Sequence, residues 1–364
     1  MTDAAVENLD DALPAESEPQ RAPSLARVLL KWALKLGLLA AIFTYLVKTD
    51  RLKASDLQAL AQRWDLTLLA MSFYIPCVLL CAFRYQMLLR ALHITAHFRD
   101  IAAFSMVGML FDLISPVSNG GDVVKAIYLS RTSSVASGKR GVAIILVSAL
   151  VDRIVGLFAL FTFALIVCAL AWPQISGNAN LRMSALIIAL VCLGGLLGFF
   201  VLVSEKLEKS ALRKRLMHIL PFHEKIERVY ASFASLRHHK GVLLIMLVLS
   251  IFNHALNCTS VLVLTYGMEF TTVPTASAPG VPATLQLVPF LTVLPLGLFL
   301  NTFGFAGGLG GGNVAFEFLF TTVLGLSGGA ALALRYQICG ILYRLFGIPF
   351  LIFYRHKGVN PSLE

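Results

Sequence analysis

Residues 113–131 read "LISPVSNGGDVVKAIYLSR": an apolar run breaks at a Pro, two Gly and an Asp–Lys pair, then resumes. In a soluble chain this is a loop before a helix. Inside a bilayer it is expensive, because non-helical backbone there finds no water to bond and survives only when buried in protein or lining a wet cavity.

The rest of the chain places the stretch in a bilayer. Its 364 residues are 57% hydrophobic and 14% charged, against about 25% charged in soluble domains, and the mean hydropathy is +0.78. Apolar runs near 29–46, 66–89, 141–172, 185–203, 242–266 and 334–354 approach or exceed the roughly 20 residues that cross a bilayer as a helix. The expected fold is an all-α polytopic membrane protein with about six full spans. One integral membrane domain, 27–358, is expected between an acidic disordered tail at 1–26 and a short C-terminal tail at 359–364.

Charge gives the orientation. The first twenty residues hold six acids and no Lys or Arg, so without them the net charge rises from +10 to +16. They lack the basic start and apolar core of a signal peptide. Residues 205–240 carry nine Lys/Arg against four Glu, with apolar residues at helical spacing. That pattern suits helices lying on an anionic leaflet. The positive-inside bias puts this loop and both termini in the cytoplasm of an inner-membrane protein. Residues 270–334 contain no Lys or Arg, and Glu317 is their only charge. Basic residues scattered at helix ends argue against nucleic-acid binding. The six cysteines lie in apolar segments without a CxxC or Cys/His cluster, so neither a metal nor a disulfide framework is expected.

The opening stretch now has a reading. The helix before it, 101–114, is short, and Arg90, Arg131, Lys139 and Arg140 around it favour the cytoplasm. A re-entrant hairpin from the cytoplasm satisfies both. A second break, "NTFGFAGGLGGGNVAFE" at 301–317, lies between apolar runs flanked by charge-free loops, so its hairpin enters from outside. Two oppositely oriented hairpins form an inverted repeat, a pattern of transporters with mid-depth sites. The alternative, full crossing by every arm, leaves Asp122 and Lys125 in or near hydrocarbon.

"ISPVSNGGDVVKAIYLSR", "LVDRIVGLFALF" and "GFAGGLGGGNVAFEFLF", in this order, resemble a flippase-like membrane family that includes the transmembrane region of lysylphosphatidylglycerol synthases. The resemblance covers nearly the whole chain beyond the tail. The synthases carry a soluble aminoacyl-transfer domain after the membrane part; this chain stops at Glu364, so that chemistry is expected to be absent. Many members show an acid after the glycines, in a Gly–Leu–Gly–x–Gly–Glu run. Here Asn313 takes that place and Glu317 follows one turn later.

Particular residues admit a functional and a bland reading. Gly120 and Gly121 free backbone N–H groups at a helix start, where the dipole favours anions, and with Asp122, Lys125 and Arg131 they offer a seat for a lipid phosphate. Otherwise Asp122 caps the helix and pairs with Lys125 while Arg131 anchors its end. Asp152 and Arg153 sit deep in an apolar run, where ionisable residues are expensive: they line a site or form a buried pair between helices. Arg84 is an inner-surface anchor or a pathway residue, and Arg335 is expected to reach the outer surface. "GGLGGG" lacks a P-loop ending. Gly307, Gly308 and Gly310 allow close ligand approach or close packing, with Asn301, Asn313 and Glu317 as polar groups beside them.

No catalytic motif appears, neither HExxH nor GxSxG, and no cofactor is implied. The leading function is a lipid translocase for a polar, anionic or amphiphilic lipid. A membrane-embedded transferase or accessory subunit of lipid or glycan synthesis, with Asp152 or Glu317 as base, is the alternative, and a small-solute permease is a third.

Overall fold

The computed structural model describes residues 43–49, 62–114, 120–134, 139–203, 239–273, 286–302 and 308–356, plus positions 33, 37, 40, 41, 282 and 283. The acidic tail, nearly all of loop 205–240, both break tips (115–119 and 303–307, with Gly307) and the end of the chain lie outside these.

Helices α1 (Trp64–Ser72) and α2 (Tyr74–Ala91) form one stretch with a stutter at Phe73. The cause is Pro76, which has no N–H to give the Ser72 carbonyl one turn earlier. Then follow α3 (Phe98–Ile114), α4 (Gly120–Thr132), α5 (Lys139–Leu170) and α6 (Ala179–Val203). The second half holds α7 (Lys240–Thr265), α8 (Leu287–Asn301), α9 (Gly311–Leu319), α10 (Gly329–Leu345) and α11 (Gly347–His356). A π-helical turn, Phe320–Leu324, extends α9.

Among the described residues, five helical stretches are long and apolar enough to cross a membrane: Trp64–Ala91, Gly141–Leu170, Ala179–Leu197, Lys240–Thr265 and Gly329–Tyr354. They fall where five of the six spans are expected; most of 29–46 lies outside the described residues. Their outward faces are apolar: Leu186, Leu190, Leu193 and Leu197 of α6 are each about half exposed. In water so much apolar surface would drive association. The protein is an all-α polytopic membrane protein.

The segments around the two breaks are shorter. Helices α3 and α4 have 17 and 13 residues, α8 has 15 and α9 nine. At about 1.5 Å per residue none reaches the roughly 30 Å of a hydrocarbon core. Each pair packs on itself and has its own core. Around α3–α4 sit Tyr85, Leu88, Phe104, Leu129, Ile145 and Met246. Around α8–α9 sit Val261, Phe290, Leu294, Phe316, Phe320 and Leu332. Helix α5 touches both pairs.

Glycine sets the closeness of α3 and α4. A Cβ on Gly108 would lie 2.8 Å from the Gly121 carbonyl oxygen, and one on Gly121 would run into the Gly108 carbonyl. The "NGG" break therefore also supplies a backbone-to-backbone helix crossing.

One feature the pattern does not announce is a three-stranded sheet. Strand β1 (Phe270–Thr272) pairs antiparallel with both β2 (Pro282–Ala283) and β3 (Leu326–Ser327). It ties the end of α7 to the start of α10. Phe270 is buried and stacks on Phe320 at 5.8 Å.

Candidate functional site

The charged residues of the first break converge with those of α2 and α5, in pairings that differ from the expected ones. Asp122 does not pair with Lys125. Its Oδ2 lies 2.6 Å from Nε of Arg153 on α5. Asp152 does not pair with its neighbour either. It receives the Arg84 guanidinium as a fork, Nε to Oδ1 at 2.8 Å and Nη2 to Oδ2 at 2.7 Å. Adjacent residues on a helix point about 100° apart, so Asp152 and Arg153 each serve a different neighbour.

Arg84 is 7% exposed, so it is not a surface anchor. Its Nη1 also donates to Ser250 Oγ of α7. Gly156, one turn after Asp152, leaves the room: a Cβ there would come 3.2 Å from Arg84 Nη1. The Gly156 carbonyl accepts from His254 Nε2 at 2.8 Å, which fixes the proton on that nitrogen. Three helices are thus joined around one buried guanidinium.

Lys125 behaves differently. Its Nζ sits 3.8 Å from the centroid of the Tyr85 ring, a cation–π contact. The Tyr85 hydroxyl is held by the Ile145 carbonyl at 3.1 Å and Ser148 Oγ at 2.8 Å. Asp122 and Asp152 act on Lys125 through space, yet neither is at salt-bridge distance. Among the described residues, Lys125 is the one cation of this cluster without a bonded carboxylate.

The α4 N-terminus is capped by a residue sequence reasoning passed over. Asp112 of α3 accepts from the Gly121 N–H at 2.8 Å, one of the amides expected to face a phosphate. Its one local signal was an acid within the last turn of an apolar helix. Gly120 opens α4 beside it, and Arg131 is exposed in the last turn, favourable at the negative end of a helix.

Around the second break the described polar groups bond one another, with Gln337 Oε1 left buried without a partner. Gln337 Nε2 donates to Asn301 Oδ1 and to the Gly308 carbonyl, both at 2.9 Å. Asn313 accepts from the Gly310 N–H and donates to the Ala330 carbonyl, both at 3.0 Å. Glu317 accepts from the Ala330 N–H at 2.9 Å and from Ser327 Oγ at 3.1 Å, placing its carboxylate at the positive start of α10. Gly308 and Gly310 have φ of 114° and 80°, which L side chains rarely adopt. Among the described residues, Asn301, Gly308, Gly310, Asn313 and Glu317 join α8, α9 and α10 through these bonds. Arg335, expected at the outer surface, is 4% exposed and donates to the Leu264 carbonyl at 3.4 Å. The carbonyl end of α7 is favourable for a cation.

The candidate site thus gathers Arg84, Asp112, Asp122, Lys125, Asp152 and Arg153, while Asn301, Gly308, Gly310, Asn313 and Glu317 lie in a separate hydrogen-bonded cluster at the second break. Among the described residues, no group of three or more His, Cys, Asp or Glu could hold a metal ion. A search of curated proteins gives no match. Residues 32–347 match the family described as the lysylphosphatidylglycerol synthase transmembrane region. With the match covering nearly all of the membrane part, the chain belongs to the lysylphosphatidylglycerol synthase transmembrane-region family.

Proposed function

We propose that this chain is a lipid translocase of the inner (cytoplasmic) membrane, in which Lys125 and Arg153 receive the phosphate of a polar, anionic or amphiphilic lipid. The observation that carries the reading is the unequal treatment of three cations. Arg84 is buried and fully engaged by Asp152. Arg153 holds the Asp122 carboxylate, and its side chain is 44% exposed. Lys125 has an aromatic face and no bonded carboxylate. A phosphate meeting Lys125 supplies the anion that Lys125 lacks and shares Arg153 with Asp122, so the existing ion pair is kept. At a membrane centre, where a charge costs about 2.5–3.5 kcal/mol even on the lenient insertion scale, such pairing offsets the cost of the lipid's charge. The family's name supports a lipid substrate, since lysylphosphatidylglycerol contains a phosphodiester.

In this reading α3–α4 and α8–α9 are re-entrant pairs of opposite sense. Both termini are cytoplasmic, and the basic segment 205–240 rests on the anionic inner leaflet. The short helix lengths and the absence of Lys and Arg from 270–334 support that arrangement.

A second reading, a subunit of lipid or glycan synthesis, is supported by the synthase in the family's description. Its expected bases are occupied, Asp152 by Arg84 and Glu317 by the start of α10, which favours an accessory over a catalytic role. The test is to assay one preparation in sealed vesicles and in detergent with a head-group-labelled phospholipid. A translocase moves label between leaflets and leaves its chemistry unchanged. Chemical conversion of the lipid in detergent would instead establish the enzyme.

A further inference from the structure

One polar atom of the second break is left over. Gln337 is 2% exposed, and its Nε2 donates to Asn301 Oδ1 and to the Gly308 carbonyl, both at 2.9 Å. Its Oε1 is buried and has no hydrogen-bond partner. A buried carboxamide that satisfies its donor and strands its acceptor is uncommon and calls for a partner. The oxygen and nitrogen of a carboxamide differ little in shape, so the side chain has a second state, half a rotation away about its last, roughly two-fold bond. In that state Oε1 takes the place of Nε2 and faces the same two oxygens. Three oxygens so placed repel one another unless a cation sits among them.

Glycines assemble this convergence. Asn301 is the last residue of α8, where helix carbonyls run out of partners and the dipole is negative. A Cβ on Gly308 or Gly312 would run into the Asn301 carboxamide, and one on Gly312 would also crowd Gln337 Nε2 at 2.9 Å. Both glycines are therefore needed to seat the two carboxamides side by side. The Gly308 carbonyl is held in position by the Gly312 N–H, which donates to it at 2.8 Å. The surroundings favour positive charge. Residues 270–334 contain no Lys or Arg, and Arg335 is turned to the Leu264 carbonyl. The buried Glu317 carboxylate lies one turn after Asn313, and both residues bond Ala330 at the start of α10. Oxygen donors without His or Cys suit a hard cation. Neutral amide and carbonyl oxygens, with one carboxylate on the next turn, suit a single charge better than two.

We propose that the second break binds a monovalent alkali cation through Asn301 Oδ1, the Gly308 carbonyl and Gln337 Oε1, and that the Gln337 amide nitrogen stands in for the ion in its absence. Carbonyls of interrupted backbone and the C-terminal ends of half-helices are the groups that take such ions at mid-depth in membrane transport proteins. Gln337 draws back and turns over to admit the ion, so the same two oxygens are bridged by N–H groups in one state and by a cation in the other. The site is separate from the Lys125–Arg153 cluster and stands whether or not that cluster receives a phosphate.

The test is thermal unfolding of the full chain in detergent, titrated with sodium, potassium or choline chloride at matched ionic strength. At about ten times its dissociation constant, sodium or potassium should raise the melting temperature by about 3 °C over choline. Gln337→Met keeps the side-chain length without an oxygen, so it should melt alike in all three salts. Gln337→Glu presents an oxygen in either orientation and loses the amide stand-in. It should melt below wild type in choline and gain more than wild type from the cation. Wild-type melting temperatures that agree in the three salts at every concentration would overturn the site and leave Oε1 to a water. A cation response retained in Gln337→Met would put the ion elsewhere and overturn it equally. Should Gln337→Met fail to fold, a cation gain in Gln337→Glu no larger than that of wild type would do the same.

Discussion

The Arg84 guanidinium and the Asp152 carboxylate form a two-point fork between α2 and α5, with side chains only 8% and 14% exposed. A buried pair of this kind is weak evidence of stabilisation, but breaking it strands a charge. Arg84→Gln or Asp152→Asn alone should lose about 3–5 kcal/mol, read as a fall in melting temperature in detergent. The double variant should lose less than either single one. Single variants as stable as wild type would show that the fork does not hold α2 to α5.

The α3–α4 crossing depends on two missing side chains. Gly121→Ala places a methyl against the Gly108 carbonyl and should destabilise by about 1–3 kcal/mol, as overpacking does. Gly194 has nothing within 4 Å of its Cβ position, so Gly194→Ala should be neutral or slightly stabilising. Equal melting temperatures for the two variants would contradict the close crossing.

At the second break the account predicts a separation of stability from lipid handling. Asn313→Ala leaves the Gly310 N–H and Ala330 carbonyl without their partner and should cost about 1–3 kcal/mol. Lipid retention, measured by native mass spectrometry, should not change. Loss of bound lipid without loss of stability would restore Asn313 as a ligand residue.

Orientation is checked by single cysteines in a Cys-free background. Ser118 and Asn119 should react with reagent supplied from the cytoplasmic side, and residues 273–279 with reagent from outside. Outside labelling of Ser133 or Ser137 would contradict the re-entrant first pair. A peptide of residues 205–240 should bind anionic vesicles and leave them at high salt, since each Lys or Arg contributes about 1 kcal/mol near such a surface.

The spans were legible because about twenty apolar residues in a row admit little besides a crossing helix. The breaks were legible because Pro and paired Gly cannot continue one. Pairing was not. Asp122 and Lys125 stand three apart on one helix, and Asp152 and Arg153 are adjacent, so local spacing suggests pairs that the tertiary structure replaces with Asp122–Arg153 and Arg84–Asp152. Which helix lies beside α5 is fixed by glycine crossings and core shape, neither visible in residue spacing. Asp112 was missed because nothing local shows that its acceptor will meet an amide nine residues on. Arg335 is buried in protein although it stands near a helix end, because the α7 carbonyl it bonds is remote in sequence. The sheet joins strands of two or three residues, too short to show alternation.

The central claim is that Lys125 and Arg153 receive the lipid phosphate while Arg84 serves structure. The most direct measurement is the rate at which a head-group-labelled anionic phospholipid changes leaflet in sealed vesicles holding the Lys125→Gln, Arg153→Gln double variant. The account predicts a fall of at least about a hundredfold, two charge-assisted contacts at roughly tenfold or more each, with melting temperature close to wild type. A stably folded double variant that moves the lipid at the wild-type rate would contradict it.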